Sequence, residues 1–375
     1  MSEQQAAKPL VLAGVMALSA PATDPALLKS LFQPLRLTDA LTLKNRIVVA
    51  PCTRNCAEPG LVPTAAAADY YAARAADGLI VTEATLIARD CQGYRDTPGI
   101  YSDAQIRGWR RVTERVHAAG GVIFSQLWHV GRLAHPYYTG VPPMGPSAVP
   151  TEGACHQVRG VALNYMPVRA LDASEIGRLV STYADAAQNA MAAGFDGVEL
   201  HGGNGYLIDQ FLRQITNRRI DRHGGRVEDR ARFALEVVDA IAARIGAGRV
   251  AMRLSPAAYF GLMEHTPGDE DTLLHLLRGL NQRQLAYVHL ALHEDRTEYA
   301  YLEGRASAFL RRHYQGTLIG NGGYAPADAA KAIDNREVDL AAFGRLFIAN
   351  PDFVERLRHG SELRSYERSL LELFR

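Results

Sequence analysis

Three polar side chains that could act on one substrate oxygen lie within six positions of each other. His201, Asn204 and Tyr206 directly follow a short apolar-rich run at residues 198–200, and glycines separate them. Glycine relaxes the backbone, so the three side chains can converge on one small volume. An imidazole and a carboxamide can donate hydrogen bonds to an oxygen that gains negative charge, and a phenol can deliver a proton. This stretch alone leaves open a strand end whose histidine and asparagine only cap the local backbone.

Short apolar runs alternate with amphipathic segments along most of the chain. The strand-like runs cover residues 46–51, 78–84, 121–128, 197–200, 249–255, 285–292, 316–323 and 338–345. Helical patterns cover residues 64–77, 103–119, 172–193, 227–245, 269–284, 298–314, 325–335 and the segment from about 351. This alternation is typical of a parallel sheet covered by helices. Eight such units predict an α/β fold of the (β/α)8 TIM barrel type rather than an open doubly wound sheet.

Further segments frame this barrel. Residues 31–43 predict a small N-terminal hairpin, and the Pro-, Gly- and Tyr-rich residues 131–170 predict a long insertion after strand 3. Asp103 is the predicted N-cap of its helix, and residues 364–375 predict a last helix. We expect a poorly ordered arm at residues 1–30 and a single catalytic domain at residues 31–375, because no stretch between the units has linker composition.

Composition and N-terminal pattern predict a cytoplasmic protein without nucleic-acid or membrane partners. The net charge is +1, and the four cysteines are too few and scattered for a disulfide framework in 375 residues. Residues 10–22 resemble a weak signal peptide, but Glu3 and a lone Lys8 make a poor positive region. Export therefore stays a minor alternative. No metal is predicted, since His129, His135 and His201 lack carboxylates at ligand spacing.

Active sites of (β/α)8 barrels lie at the carboxyl ends of the strands, so the residues that close each run should face one mouth. Those residues are mostly polar or glycine and come from seven strands: Pro51, Cys52, Thr53, Arg54, Glu83, Ala84, Thr85, Gln126, Trp128, His129, His201, Asn204, Tyr206, Arg253, Gly322, Gly323, Gly344 and Arg345. Loops after strands 7 and 8 commonly bind phosphate. Glycines let backbone N–H groups approach a phosphate, and Arg345 adds a permanent charge.

A phosphate at this position implies either a phosphorylated substrate or a cofactor such as FMN. Thr53, the Ala84 backbone, Gln126 and Arg253 offer donors and acceptors that suit the polar edge of an isoalloxazine ring. No Gly-x-Gly-x-x-Gly follows a strand, which disfavours a Rossmann module. No lysine closes a core strand, which disfavours a Schiff-base enzyme.

Several stretches match one known family. They are residues 31–35, 43–47, 50–54, 92–94, 97–100, 126–132, 201–207, 221–225, 342–345 and 348–351. On these the chain resembles the Old Yellow Enzyme family of flavin-dependent ene-reductases, from about residue 31 to residue 358. The resemblance implies bound FMN, reduced by NADPH or NADH, whose hydride passes to the β-carbon of an activated alkene. The implied substrates are enones, enals or nitroalkenes, and the implied state is a monomer or a homodimer.

The resemblance also implies roles for individual residues. His201 and Asn204 would hold the carbonyl or nitro oxygen, and Tyr206 would protonate the α-carbon. The implied cofactor-binding residues are Pro51, Cys52, Thr53, Ala84, Gln126, Arg253, Asn321, Gly322, Gly323, Gly344 and Arg345, with Thr53 tuning the flavin and the last four taking the phosphate. Tyr94 and Trp128 would line the substrate pocket, although packing alone is an alternative for each.

Two departures from the family pattern keep other functions open. Family members usually continue after the last helix into an aromatic and Gly-rich tail, which residues 364–375 do not resemble. Cys52 stands where Met or Leu is common. The alternatives are a flavin-binding barrel that has lost catalysis, such as a redox-responsive binding module, and a flavin-dependent oxidase or dehydrogenase. The latter would need a base where Tyr206 stands.

Overall fold

The computed structural model describes residues 24–75, 78–152, 154–155, 163–257 and 264–372. Eight parallel strands form a closed barrel in it, which confirms the predicted fold class. In chain order they are β1 (Ile47–Val49), β2 (Leu79–Leu86), β3 (Val122–Trp128), β4 (Gly197–Gly202), β5 (Val250–Leu254), β6 (Tyr287–Leu290), β7 (Leu318–Gly320) and β8 (Leu340–Phe343). Each strand pairs with the next along the chain, and Phe343 of β8 pairs with Val49 of β1.

Helices follow the strands and cover the outside of the barrel. They are α1 (Ala65–Ala72), α2 (Asp103–Ala118), α3 (Ala173–Ala192), α4 (Val227–Ile245), α5 (Asp269–Asn281), α6 (Ala306–His313), α7 (Pro326–Asp334) and α8 (Phe353–His359). Local sequence sets several of their ends. Asp172 caps α3 through a reciprocal capping box with Glu175, so that two otherwise unpaired N–H groups are satisfied.

The barrel interior is filled by side chains at the end opposite the predicted site. Phe124, Tyr287 and Ile319 form a buried cluster with Leu37 and Leu43. The last two residues belong to the N-terminal hairpin, in which Leu35–Arg36 pairs with Thr42–Leu43. The hairpin and the packed interior close the amino-terminal end of the barrel, so the polar strand ends of the opposite face form its open mouth.

Three local predictions are wrong. Residues 298–314 are not one helix: Glu298–Tyr299 pairs with Gly304–Arg305, and only then does α6 begin. The positive φ angles of Glu303 (53°) and Gly304 (132°) cannot continue a right-handed helix. The N-cap of α2 is Ser102, whose hydroxyl pairs with the Gln105 backbone in a capping box. Residues 364–367 are not helical, and only a short 3-10 turn, Arg368–Glu372, follows them.

The segment before the hairpin packs against the barrel from residue 25 onwards. Pro25–Phe32 forms a 3-10 helix whose Leu28 and Leu31 are fully buried, and the Ser30 hydroxyl donates to the Ala330 carbonyl at 3.1 Å. The rest of the predicted arm, residues 1–23, lies outside the described residues. Among the helices that are described, none combines the length and the apolar composition needed to cross a bilayer.

Candidate functional site

Four aromatic side chains enclose one side of the barrel mouth. The Tyr206 ring stands edge-on to His201 and to Trp128, with centroid separations of 4.8 and 4.9 Å. Tyr94 lies 5.0 Å from Trp128, and its hydroxyl is 2.8 Å from the Tyr206 hydroxyl. The structure therefore brings together the predicted substrate-contacting side chains of β3 and β4 with Tyr94 from the loop after β2.

His201 offers a hydrogen-bond donor that no part of the described chain uses. The residue is 5% exposed, and its ring makes no hydrogen bond to another described residue, which leaves Nδ1 buried without a partner. Burial, together with the nearby Arg253 and His289, lowers the pKa of His201 well below its usual 6.5. The ring is consequently neutral at pH 7 and can donate one N–H to a bound oxygen without carrying a charge.

Asn204 lies in a sharp turn at the end of β4. Its φ of 59° is left-handed, a conformation that asparagine tolerates better than most residues. Its carboxamide oxygen is 3.0 Å from the hydroxyl of Ser255, which follows β5. Its Nδ2 makes no hydrogen bond to another described residue. His201 and Asn204, three positions apart in the chain, therefore each carry a donor that no described residue uses.

A separate cavity of about 340 Å³ lies over the ends of β5, β7, β8 and β1. Its lining includes seven predicted cofactor residues: Pro51, Cys52, Arg253, Asn321, Gly323, Gly344 and Arg345. Neither arginine forms an ion pair with a described carboxylate, and Arg253 Nε is buried without a hydrogen-bond partner. Two cations with no ion pair to a described carboxylate in one concave site fit a ligand that carries both an anionic group and a polar ring.

Close contacts between the backbones of two loops shape the same cavity. A side chain at Gly322 would place its Cβ 2.6 Å from the backbone nitrogen of Asp295, and Gly323 has a φ of 72°. The Tyr324 hydroxyl donates to the buried Asp295 carboxylate, which also accepts the Ser307 N–H at 3.1 Å. Glycine is thus required at position 322, and the loop after β7 is tied to the loop after β6.

A larger cavity, of about 810 Å³, lies at the opposite end of the barrel, beside the hairpin. It is lined by residues that precede the strands, among them Asp196, Arg249 and Thr317. None of its described lining residues carries a buried polar atom without a partner. Nothing in this lining calls for a bound ligand, so the smaller cavity at the mouth is the better candidate.

A buried polar network beneath the mouth fixes the orientation of Gln126. Its Nε2 donates to Glu199 at 2.7 Å, and the other carboxylate oxygen of Glu199 lies 2.8 Å from His289 Nδ1. Burial by itself would raise the pKa of Glu199, but His289 and Arg253 outweigh it and hold the pKa below 4.5. Because Nε2 carries two N–H groups and Glu199 takes one, Gln126 keeps one N–H donor and its carbonyl oxygen for a ligand.

An irregularity in β2 directs a second buried carboxylate. The β2–β3 register shifts between Val81 and Ala84, and such a bulge re-aims the side chains at its position. Glu83 is 4% exposed, and its carboxylate accepts the backbone N–H of Arg54 at 3.0 Å. The carboxylate therefore anchors the loop after β1 that carries Thr53, itself half-buried.

Glu83 also gives a prediction for stability against pH. Burial raises the pKa of Glu83 from 4.5 to about 7. A carboxyl with a raised pKa contributes stability that is present below pH 4.5 and is lost as the pH rises through 7. The free energy of unfolding of Glu83→Gln should therefore be about 3 kcal/mol higher than that of wild type at pH 8, and close to that of wild type at pH 5.

Urea unfolding of both proteins at the two pH values checks this expectation. The exposed Glu114→Gln is the matched control and should follow wild type at both. A loss of stability in Glu83→Gln that is equal at pH 5 and pH 8 would contradict the prediction. It would mean that the hydrogen bond to Arg54 outweighs the cost of the buried charge.

One grouping of possible metal ligands was missed, because its members are distant in sequence. Asp90, Cys91 and His129 bring an oxygen, a sulfur and a nitrogen within 4.8 Å of one another. In the folded structure His129 therefore does have a carboxylate nearby, contrary to the expectation from sequence spacing. However, His129 Nδ1 accepts the Gly131 N–H at 2.9 Å, so the neutral ring carries its proton on Nε2. Neither nitrogen then has a lone pair available for a metal.

The structure places the remaining predicted residues at the same mouth. Ala84 lies two residues before the end of β2, and Gly344 lies where a Cβ would be 3.0 Å from Cys52 Sγ. Ser255, whose hydroxyl contacts Asn204, is a residue of this site that sequence reasoning missed. The available signal was its position two residues after Arg253 at the end of a predicted strand.

Comparison with known proteins identifies the family. The model of the NADH:flavin oxidoreductase / NADH oxidase family matches residues 30–364. The chain is 40% identical over 368 residues to flavin oxidoreductase hxnT of Emericella nidulans, covering 91% of this chain and 94% of that protein. It is also 40% identical over 361 residues to 12-oxophytodienoate reductase 7 of Oryza sativa subsp. japonica, covering 90% of each.

Solved structures agree with these matches. The Old Yellow Enzyme homologue of Zymomonas mobilis superposes with a TM-score of 0.85 at 38% identity, covering 91% of this chain and 96% of that one. A mutant morphinone reductase in complex with tetrahydroNAD superposes with a TM-score of 0.83 at 42% identity, covering 91% and 94%. The chain therefore belongs to the Old Yellow Enzyme family of NADH:flavin oxidoreductases, which uses FMN with NADH or NADPH.

Proposed function

We propose that this protein is an ene-reductase that reduces the activated C=C bond of α,β-unsaturated carbonyls or nitroalkenes at the expense of NADPH or NADH. The observation that carries the proposal is that His201 meets Tyr206 in one aromatic-lined opening, and that His201 and Asn204 each carry a donor that no described residue uses. Family membership and the relatives that act as 12-oxophytodienoate reductases support the same class of reaction.

The first task of the site is to hold and polarise the substrate oxygen. Neutral His201 and the Asn204 carboxamide donate to the carbonyl or nitro oxygen, which gains negative charge as hydride reaches the β-carbon. Donors held in place before the reaction stabilise that charge without reorganising, and each is worth about 2.7–4 kcal/mol in comparable sites. The surrounding rings of Trp128 and Tyr94 keep water away and strengthen these hydrogen bonds.

The second task is proton delivery. The Tyr206 hydroxyl donates its proton to the α-carbon, completing the addition of H₂ across the double bond. Its neighbour Tyr94, 2.8 Å away, can donate to the phenolate oxygen that remains. A general acid in this position contributes about 10²–10⁴-fold to the rate.

The cavity beside the site suits FMN by its charge and its lining residues. Arg345 and the loops at Gly322–Gly323 and Gly344 suit the phosphate, while Arg253 and the carboxamide of Gln126 suit the pyrimidine edge of the ring. Pro51, Cys52 and Asn321 also line the cavity, whereas the proposed cofactor residues Thr53 and Ala84 lie outside its lining. FMN bound there would supply the redox chemistry that carries hydride from the nicotinamide to the alkene.

An anaerobic absorbance experiment on the purified holoprotein tests the proposal. NADPH or NADH should bleach the flavin absorbance, and 2-cyclohexenone added afterwards should restore it with formation of cyclohexanone. Protein that bleaches but does not recover with an enone or a nitroalkene would refute ene reduction and favour a different redox partner. Protein that does not bind FMN at all would remove the cofactor assignment as well.

A further inference from the structure

The Ser255 hydroxyl lies at the centre of a small hydrogen-bond network behind Asn204. Ser255 is 2% exposed and follows β5, two residues after Arg253. The hydroxyl accepts the Asn204 N–H at 3.1 Å. It also lies 3.0 Å from Asn204 Oδ1 and 3.0 Å from the Ala291 carbonyl. One serine hydroxyl therefore contacts both the backbone and the side chain of a proposed oxygen-binding residue.

A hydroxyl has one proton, so it can donate to only one of those two oxygens at a time. When it donates to Asn204 Oδ1, the amide Nδ2 is turned away from Ser255 and can serve as a donor to a ligand. When the hydroxyl donates to the Ala291 carbonyl instead, Asn204 Oδ1 has no donor there. The carboxamide can then bond to Ser255 only if it flips and donates from Nδ2 to the hydroxyl oxygen. Oδ1 would then face the ligand and repel a carbonyl oxygen.

The chain at this point leaves little space for rearrangement other than the flip. A Cβ on Gly203 would lie 2.5 Å from Ser255 Oγ, so only glycine permits this approach of the two loops. The left-handed φ of Asn204 fixes where its side chain leaves the backbone. Whether Asn204 presents its donor or its acceptor to the ligand thus depends on one torsion of its carboxamide.

A buried ion pair fixes both ends of the network. Arg213 is 1% exposed, and its Nε donates to Asp209 Oδ1 at 3.0 Å. The other oxygen of Asp209 accepts the Gly205 N–H at 2.9 Å, and Arg213 also donates to the Ser255 carbonyl. The turn after β4 and the end of β5 are therefore held to one rigid element, the short helix Leu207–Leu212 with Arg213 at its end.

We propose that Ser255 is a positioning and specificity residue that orients the Asn204 carboxamide, so that Nδ2 faces the ligand and the site selects molecules presenting an oxygen acceptor. This inference rests on the proposed function, in which Asn204 binds the substrate oxygen. It assigns to the serine no contact with the substrate. Its effect must therefore pass entirely through Asn204.

The test is a double-mutant cycle on the FMN holoenzyme with Ser255→Ala and Asn204→Ala. The readout is the dissociation constant of 4-hydroxybenzaldehyde, whose phenolate oxygen is an acceptor, followed by flavin absorbance. Ser255→Ala alone should weaken binding about three- to tenfold, the range expected for one lost neutral hydrogen bond. In the Asn204→Ala background the same change should have no further effect.

Ser125→Ala is the matched control, since Ser125 is fully buried on β3 and its hydroxyl has no partner among the described residues. It should bind the phenol as wild type does. If Ser255→Ala does not yield folded holoenzyme, Ser255→Cys keeps the size, weakens the hydrogen bond and should show the same loss of affinity.

Two results for the Ser255 variant would overturn the inference. One is that Ser255→Ala binds the phenol with unchanged affinity. The other is that Ser255→Ala loses the same affinity in the wild-type and Asn204→Ala backgrounds, which would indicate a general structural role. Failure of the proposed function is seen separately, as wild-type holoenzyme that binds the phenol but does not reduce 2-cyclohexenone. Wild-type enzyme that does not bind the phenol at all would overturn the role of Asn204 and with it that of Ser255.

Discussion

Tyr206→Phe is expected to slow the reduction of 2-cyclohexenone by about 10²–10⁴-fold while flavin reduction by NADPH or NADH stays near the wild-type rate. The substitution removes only the hydroxyl. The ring contacts with His201 and Trp128 depend on the aromatic face and edge, so the shape of the site should persist. Stopped-flow measurement of the two half-reactions separates the effects, because only the second needs an acid.

Two comparisons sharpen this result. Tyr183→Phe is the matched control, since its hydroxyl is buried in α3 without a partner among the described residues, and it should leave both half-reactions unchanged. A nitroalkene should be less sensitive than the enone, because hydride addition to it yields a nitronate that is stable before protonation. Equal slowing of both half-reactions in Tyr206→Phe would contradict the role of Tyr206 as the acid.

Arg345→Ala is expected to weaken FMN binding by about 10- to 150-fold and to leave riboflavin binding unchanged. Arg345 lines the cavity without a carboxylate partner among the described residues, so its charge is available for a phosphate. A hydrogen bond to a charged group contributes about 1.5–3 kcal/mol, which corresponds to this range of dissociation constants. Riboflavin has the same ring system but no phosphate, so it isolates the contribution of Arg345 to phosphate binding.

Titration of apoprotein with each flavin, followed by fluorescence quenching, makes the measurement. Arg296→Ala is a suitable control because Arg296 is exposed and paired with Asp328 at 2.8 Å, in the loop that ends near the cavity. It should bind both flavins as wild type does. Equal loss of FMN and riboflavin affinity in Arg345→Ala would place the arginine at the ring or in the fold instead of at the phosphate.

The barrel was predictable from the sequence because its strands are continuous apolar runs and its helices are amphipathic. The bounds of α4, Val227–Ile245, agree with the prediction at both ends. The helix predicted at residues 298–314 failed for a local reason. Gly304 and the left-handed Glu303 turn the chain, whereas the spacing of apolar residues around them still resembles a helix.

Residues of the candidate site were predictable where strand ends supply them, since the barrel rule brings strand ends together. The supporting contacts were not. Ser255, after β5, contacts Asn204, after β4. Glu83 contacts the Arg54 backbone because of a bulge that the residue pattern does not predict. Asp90 approaches His129 only because the loop after β2 folds back over β3. Such contacts depend on side-chain directions in three dimensions, which hydrophobic periodicity does not encode.

Phe343 and Val49 pair where the last strand of the barrel meets the first, and the cavity that contains Cys52, Gly344 and Arg345 spans this seam. Its walls come from opposite ends of the domain, so the cavity exists only once the ring of strands is complete. A ligand that binds only the closed ring stabilises it by mass action, by about 2.7 kcal/mol at a hundredfold excess over its dissociation constant. Bound FMN is therefore expected to stabilise the pairing of β8 with β1. Protein without FMN should unfold first between these two strands.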